Sequence, residues 1–418
     1  MAQSLILRAR YLWPGAGEII ENGALLVSGS RIAALGRWGR IRRSASGKIL
    51  DLGEAVLLPG FINCHTHLEL TDLEGKIPPQ RSFDRWLNQL VAKTLPWSKS
   101  KFTRSAARGL KLNLISGTTL LGDISYVGYD YDVLKKSPLR KILFLEAIDF
   151  NPATAASTAA KLEKKLLEIK TDEFMILGIA PHSPYTASGA LYQECLRMAK
   201  RLDLPISTHL AETEEEREFL MKGTGDFTRR LRRWRLFSRW QPPGSSPLKY
   251  MYSLGLLNLP LVIAHGNFLD EKDIGLLERS AASVIYCPSS HKYFGHPPHP
   301  FQRLLARGVN VALGTDSLAS GRSLSMLDEM KIVARDYKDV SPESLLKMAT
   351  IHGARALGLE DKVGSLEVGK EADLIALAAD ATSRPLEALF CKDRATVFTM
   401  VAGKVLYKAN ENLKREAC

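Results

Sequence analysis

The chain has 418 residues, 45% hydrophobic and 24% charged, with a formal net charge of +12. That length suffices for one large barrel plus a small appendage, and the composition is that of an ordinary globular protein. No apolar run is long enough to span a bilayer, and the five scattered cysteines contain no C-x-x-C pair, which predicts reduced thiols.

The opening "MAQSLILRARYLWPG" lacks the basic start, continuous apolar core and small-residue cleavage site of a signal peptide, so a cytoplasmic protein is expected. Residues 4–58 read as short strands and turns: "SLILRARYLW", "GALLVSGSRIAALG", "GKILDLGEAVLLPG". Apolar strand-like runs then follow at 55–65, 118–125, 141–148, 174–181, 205–211, 261–268, 282–288 and 309–315. Helical periodicity fills much of the space between them, at 104–115, 153–170, 187–202, 269–280 and 324–337. From 363 to 408 the chain returns to strands and turns. Eight strands alternating with helices predict an α/β fold, a (β/α)₈ TIM-like barrel over 59–362. The flanks, 1–58 and 363–418, would pair into a small β-sandwich domain formed by both termini. Long segments at 72–103 and 222–258 follow the first and fifth strands, on the side where active-site loops sit, and read as lids or substrate walls.

The densest basic segment is "RRLRRWRLFSRW", 229–240, with six arginines. Leu231, Trp234 and Phe237 recur every third residue, as in an amphipathic helix with a solvated arginine face. No recognisable nucleic-acid module accompanies it, so a nucleic-acid partner is not expected. Cys64 shares a strand side with Ile62 rather than with His65, and reads as a small buried residue.

The polar residues gather at strand ends. His65 and His67 close the first barrel strand, His182 the fourth, His209 and Glu212 the fifth, His265 the sixth, His291 the seventh and Asp316 the eighth. Six of the nine histidines sit at these ends, far more than satisfied core histidines explain. Residues i and i+2 of a strand face one side, so His65 and His67 point into one space. His65, His67, His209 and Asp316 suit one Zn²⁺ or Fe²⁺ with room for a water whose pKa the ion lowers. Glu212 is placed to pass a proton to a substrate, His265 to hold or shuttle one, and Asp316 to take the water's proton. His67-Leu68-Glu69 also matches H-x-E, half of the cytidine-deaminase zinc signature, but the P-C-x-x-C half is missing. His291 has a pocket reading and a helix-cap reading; His296 and His299 read as loop residues and His352 as structural.

As a set, "PGFINCHTH", "HLAETEEE", "AHG", "GTDSLAS" and "GSLEVGKEADLIAL" resemble the amidohydrolase superfamily over nearly the whole chain. The resemblance implies a mononuclear divalent-metal hydrolase with ligands His65, His67, His209 and Asp316, proton donor Glu212 and assisting His265. No lysine follows strand four within "APHSPYTAS", which favours the one-metal aminohydrolase branch over members with a bridging lysine. "PHSPYT" and "SFDRWL" resemble deaminases of adenosine-like nucleosides, including S-adenosylhomocysteine and methylthioadenosine deaminases, which would bring His182 and Trp86 to the substrate. "HTHLELT" and "EREFLMKGTGDF" look more like aminodeoxyfutalosine deaminase of the alternative menaquinone route, with Glu69 in the pocket wall. In that reading the arginine segment could pair with a substrate carboxylate. Guanine deamination, triazine dechlorination and a non-catalytic scaffold are the competing outcomes on this fold. Related enzymes are often homodimers, and the resemblance extends that expectation to this chain.

Overall fold

The computed structural model describes residues 4–80, 82–126, 128–233, 240–391 and 394–409. The first five strands are β1 (Leu5–Leu12), β2 (Ile20–Ser28), β3 (Arg31–Arg37), β4 (Lys48–Asp51) and β5 (Ala55–Pro59). Eight more follow: β6 (Phe61–Thr66), β7 (Thr118–Ser125), β8 (Arg140–Ala147), β9 (Met175–Pro181), β10 (Ile206–Leu210), β11 (Leu261–His265), β12 (Ser283–Tyr286) and β13 (Asn310–Leu313). The last three are β14 (Leu374–Ala378), β15 (Thr396–Val401) and β16 (Lys404–Lys408).

Strands from both ends build one sheet in the order β16-β15-β14-β5-β1-β2-β3, with β4 beside β1. The sheet curls back on itself. Ala372 N–H donates to the Ser30 carbonyl at 2.7 Å and Gly369 N–H to the Ile32 carbonyl at 2.9 Å, which ties the β2–β3 turn to the chain before β14. Leu25, Val27, Ile32, Leu57, Leu374, Phe398 and Met400 fill the fold with one apolar cluster. The small β domain expected from the two termini is thus a continuous sheet bent over one core. Within 363–408, expected to hold short strands and turns, residues 363–373 are mostly turns and the first strand begins at Leu374.

The run 55–65, expected to be the first barrel strand, serves two sheets. β5 pairs with β14 in the terminal sheet, and β6 begins the barrel two residues later. Gly60 makes the switch, because a Cβ there would lie 2.1 Å from Thr119 Oγ1 and no side chain fits.

β6 to β13 form the parallel barrel in chain order. Along β8, Ile142 and Phe144 face the interior cluster with Ile62, Cys64 and Leu120, while Leu143 and Leu145 pack in the cluster that holds the outer helices' Leu162, Leu166, Leu191 and Met198. Burial on both faces is what a parallel sheet requires, and each such side chain contributes about 1.5–3 kcal/mol. The barrel closes through a bridge between Thr66 and Asp316, with the N–H groups of Thr315 and Asp316 donating to the His65 carbonyl at 3.1 and 3.0 Å. A Cβ on Gly314 would lie 2.9 Å from His65 Cβ, so only glycine lets the two strands approach this closely. The seam carries the end of the last strand onto the end of the first.

The two long insertions meet over the same end of the barrel. The helix Phe83–Thr94, capped by Ser82, brings Phe83 and Trp86 against Phe227 and Leu231 of the helix Gly225–Arg233. The half-buried pair Arg230–Asp84, at 2.6 Å, joins them. That second helix is amphipathic as expected through Arg233; the expected residues 234–239 lie outside the described ones. Among the described residues no helix is long and apolar enough to cross a membrane.

Candidate active site

His65 lies on β6, His67 one residue past it, His209 on β10 and Asp316 just past β13. Their donor atoms converge. His67 Nε2 is 3.2 Å from His209 Nε2, and Asp316 Oδ1 is 3.6 Å from His67 Nε2 and 3.8 Å from His65 Nε2. His209 Nδ1 faces the His182 carbonyl at 3.1 Å, which makes Nδ1 the protonated nitrogen and leaves Nε2 a lone pair. His65 is fully buried, and neither of its ring nitrogens has a hydrogen-bond partner. A buried orphan imidazole is costly unless something else satisfies it. Burial, then the neighbouring histidines, pushes His65 and His209 well below the ordinary histidine range, and burial lowers His67, so all three favour the neutral, ligating form. For ligands about 2.1 Å from a tetrahedral ion the donor atoms would stand about 3.4 Å apart, which the observed spacing approximates. The four residues fit a divalent cation.

Asp316 is aimed by its surroundings. Ser290 Oγ and Ser320 Oγ donate to its Oδ2 at 2.7 and 2.8 Å, leaving Oδ1 to the histidines. Its φ is +55°, and Ala211 and His265, also at strand ends, have φ of +51° and +72°. Three non-glycine residues in the left-handed region cost about 1–3 kcal/mol each, and such strain concentrates at functional sites.

Glu212 follows β10. Its Oε2 accepts from the Tyr185 hydroxyl at 3.2 Å, and its Oε1 lies 3.3 Å from His265 Nε2. Burial first, then the charges of Asp316 and Glu216, raises its pKa well above the carboxylate range. Burial also pushes His265 down to about 4. Both shifts favour the neutral forms of the pair, a protonated carboxyl beside a neutral imidazole, and the protonated carboxyl is the form a proton donor needs.

The remaining expected residues divide. His182 borders the cluster, with Nδ1 held by Thr186 Oγ1 at 2.6 Å and Nε2 3.8 Å from Glu146 Oε1. Trp86 packs on Phe83 and Phe294, and its Nε1 donates to the Ala319 carbonyl at 3.4 Å, three residues past Asp316. Glu69, expected in the pocket wall, holds backbone with its carboxylate. It is buried, and its oxygens accept the backbone N–H groups of Tyr126 and Tyr129 at 3.0 Å each, so it clamps the loop after β7. His291 caps no helix and instead bonds Asn267 Oδ1 through Nδ1 at 3.0 Å, which corrects the helix-cap reading and engages the ring behind Glu212. His299 supports the strained His265 carbonyl at 2.8 Å, and His352 bonds the Val311 carbonyl. Arg229 is paired with Asp226 and Arg230 with Asp84. Sequence reasoning missed Tyr185, Glu216, Asn267, Ser290 and Ser320. Their one signal is position, on or beside the strand-end segments that hold the histidines.

A parallel eight-stranded barrel with this donor set at its strand C-terminal ends defines a metal-site hydrolase barrel. The amidohydrolase family matches residues 56–406, and the chain belongs to that family as a hydrolytic enzyme. A 5-methylthioadenosine/S-adenosylhomocysteine deaminase of Teredinibacter turnerae is 31% identical over 95% of this chain and 88% of its own length. A 5'-deoxyadenosine deaminase of Methanobrevibacter smithii is 30% identical over 85% of this chain and 79% of its own. The crystal structure of a Xanthomonas campestris adenosine deaminase with bound zinc superposes with a TM-score of 0.84 at 25% identity, covering 99% of this chain and 96% of that one. Helicobacter pylori aminofutalosine deaminase in complex with methylthio-coformycin gives 0.84 at 24%, covering 96% and 99%, a likeness of fold alone.

Proposed function

We propose that the protein is a metal-dependent hydrolytic deaminase that replaces the C6 amine of an adenine nucleoside by oxygen and releases ammonia. The observation that carries this reading is a buried Glu212, its carboxyl 3.3 Å from His265, set against the converging donors of His65, His67, His209 and Asp316. Zn²⁺ is the proposed ion, with Fe²⁺ the alternative; bound there, it supplies the Lewis acidity that makes a water nucleophilic near neutral pH. Glu212 gives its proton to ring N1, so negative charge does not build on the purine, and takes one back from the C6 hydroxyl as the carbonyl forms. Asp316 takes the water's proton and delivers it to the departing amine. His265 steadies the oxygen developing at C6. His182 and Trp86 contact the substrate.

The names of the relatives support adenine nucleosides with a small or sulfur-linked 5' group. The "HTHLELT" and "EREFLMKGTGDF" stretches support 6-amino-6-deoxyfutalosine, a nucleoside of menaquinone biosynthesis. We propose the adenine nucleoside as the common requirement, with a cytoplasmic enzyme, alone or as a homodimer, acting on it. An ammonia-release screen of adenosine, 5'-deoxyadenosine, 5'-methylthioadenosine, S-adenosylhomocysteine and aminodeoxyfutalosine tests this. Release from at least one supports the reading and ranks the 5' groups. Release only from guanine or an amino- or chlorotriazine, or from nothing, overturns it.

A further inference from the structure

We infer that Glu216 and Asn267 are positioning residues that fix Glu212 for proton transfer by gripping its backbone from both sides. The inference rests on the proposed role of Glu212.

"TEEE", 213–216, has the spacing of a helix capping box, in which the fourth residue reaches back to the N–H of the first. Thr213 plays its part and accepts the Glu216 N–H at 3.1 Å. Glu216 reaches further back than a capping box requires. Its Oε1 accepts the N–H of Ala211 at 3.0 Å and its Oε2 the N–H of Glu212 at 2.8 Å. Glu214 is exposed and Glu215 meets the Phe83 N–H, so only the third glutamate turns inward, and it is completely buried. The carboxylate holds open a turn in which Ala211 sits at φ +51°, a conformation that an alanine adopts at a cost of about 1–2 kcal/mol.

The other side of the same residue is held from the segment after β11. Asn267 Nδ2 donates to the Glu212 carbonyl at 2.9 Å, and His291 Nδ1 meets Asn267 Oδ1 at 3.0 Å, which fixes the amide's orientation. The Ala211 carbonyl accepts the Phe268 N–H at 2.9 Å. The peptide groups on both sides of Glu212 are therefore anchored, and Tyr185 holds the carboxyl end. Among the described residues, the hydrogen bonds of the Glu216 and Asn267 side chains go to the Ala211 and Glu212 backbone and to His291, and not to His65, His67, His209 or Asp316. Their effect reaches the chemistry through where Glu212 points.

A carboxylate can accept both N–H groups, whereas an amide has one accepting oxygen and would set an N–H₂ against the other donor. Glu216→Gln is expected to lower kcat about 100-fold, the size of a displacement near 1 Å, with KM changed less than about threefold. Metal content per chain should equal that of the wild type. The decisive comparison is in the Glu212→Gln background, read by single-turnover ammonia release. A residue that acts only through the Glu212 carboxyl has nothing left to position, so the double variant should match Glu212→Gln alone. Asn267→Ala gives the same pattern and serves if Glu216→Gln folds poorly. Wild-type kcat in both variants, loss of metal, or a further drop in the double variant would overturn the inference. A wild-type enzyme that deaminates no adenine nucleoside would instead overturn the proposed function and take this inference with it.

Discussion

Ser290→Ala removes one of the two hydroxyls that hold Asp316 Oδ2, at 2.7 Å, and leaves the Ser320 contact at 2.8 Å. A hydrogen bond to a charged group is worth about 1.5–3 kcal/mol. At about 1.4 kcal/mol per decade that is roughly 10- to 100-fold in an equilibrium constant. Outer residues that orient metal ligands independently show about the same 10- to 100-fold effect. The two estimates agree because both describe a ligand freed to rotate. With one donor gone, Oδ2 loses half its anchoring, and Oδ1 is no longer confined to the face shared by His65 and His67. Competition of the metal-stripped variant for Zn²⁺ against a chromophoric chelator should therefore show affinity weaker by about 10- to 100-fold, at unchanged circular dichroism. Ser320→Ala, which frees the same oxygen, should fall in the same range, and Ser290→Thr should restore binding. Wild-type affinity in both alanine variants would refute the reasoning, because the hydroxyls would then be packing rather than aiming the carboxylate.

Glu212→Gln should retain its metal and lose about 10²- to 10⁴-fold in ammonia release, the usual size of a proton donor's contribution; metal loss would make Glu212 a ligand. Gly314→Ala pushes a methyl into the His65 backbone across the barrel seam and should cost about 1–3 kcal/mol in denaturant unfolding, with no loss if the strands can part freely. Glu146, its side chain buried and its Oε1 without a hydrogen bond, is raised to about 8 by burial and by the charge of Glu69. The folded state keeps its proton where the unfolded chain releases it above about 4.5, so this group's stabilisation is full below that pH and is lost as pH rises toward 8. In the metal-free protein Glu146→Gln should gain stability relative to the wild type across that window, by at most about 1.4 kcal/mol per pH unit. A pH-independent difference would mean that Glu146 is ionised in the folded state.

Much of the barrel was legible because its strands are buried on both faces and read as continuous apolar runs. β7 spans the expected 118–125, and β8 lies within one residue of its expected place. The histidines were legible because six imidazoles at strand ends have no ordinary structural explanation. What escaped was contact that a linear pattern does not carry. The run 55–65 looks like one strand, and only the Thr119 side chain packed over Gly60 shows why it must serve two sheets. β11 ends at His265, short of the expected 268, because His265 and Gly266 both turn into the left-handed region. Glu69 enters the expected site through the family resemblance, and no local pattern shows that its oxygens accept backbone N–H groups 57 and 60 residues later. Ser290, Ser320 and Asn267 are ordinary polar residues in a sequence, and nothing local marks them as the mounts of Asp316 and Glu212. Among three consecutive glutamates, the helix geometry alone selects Glu216.

The most direct test removes the ion and puts it back. Protein dialysed against a strong chelator until metal analysis finds none should release no ammonia from an adenine nucleoside, and one equivalent of Zn²⁺ or Fe²⁺ per chain should restore turnover. His65→Ala and Asp316→Ala should bind no equivalent and recover nothing. Full activity in the metal-free protein, or a full equivalent of tightly bound metal in those two variants, would contradict the account.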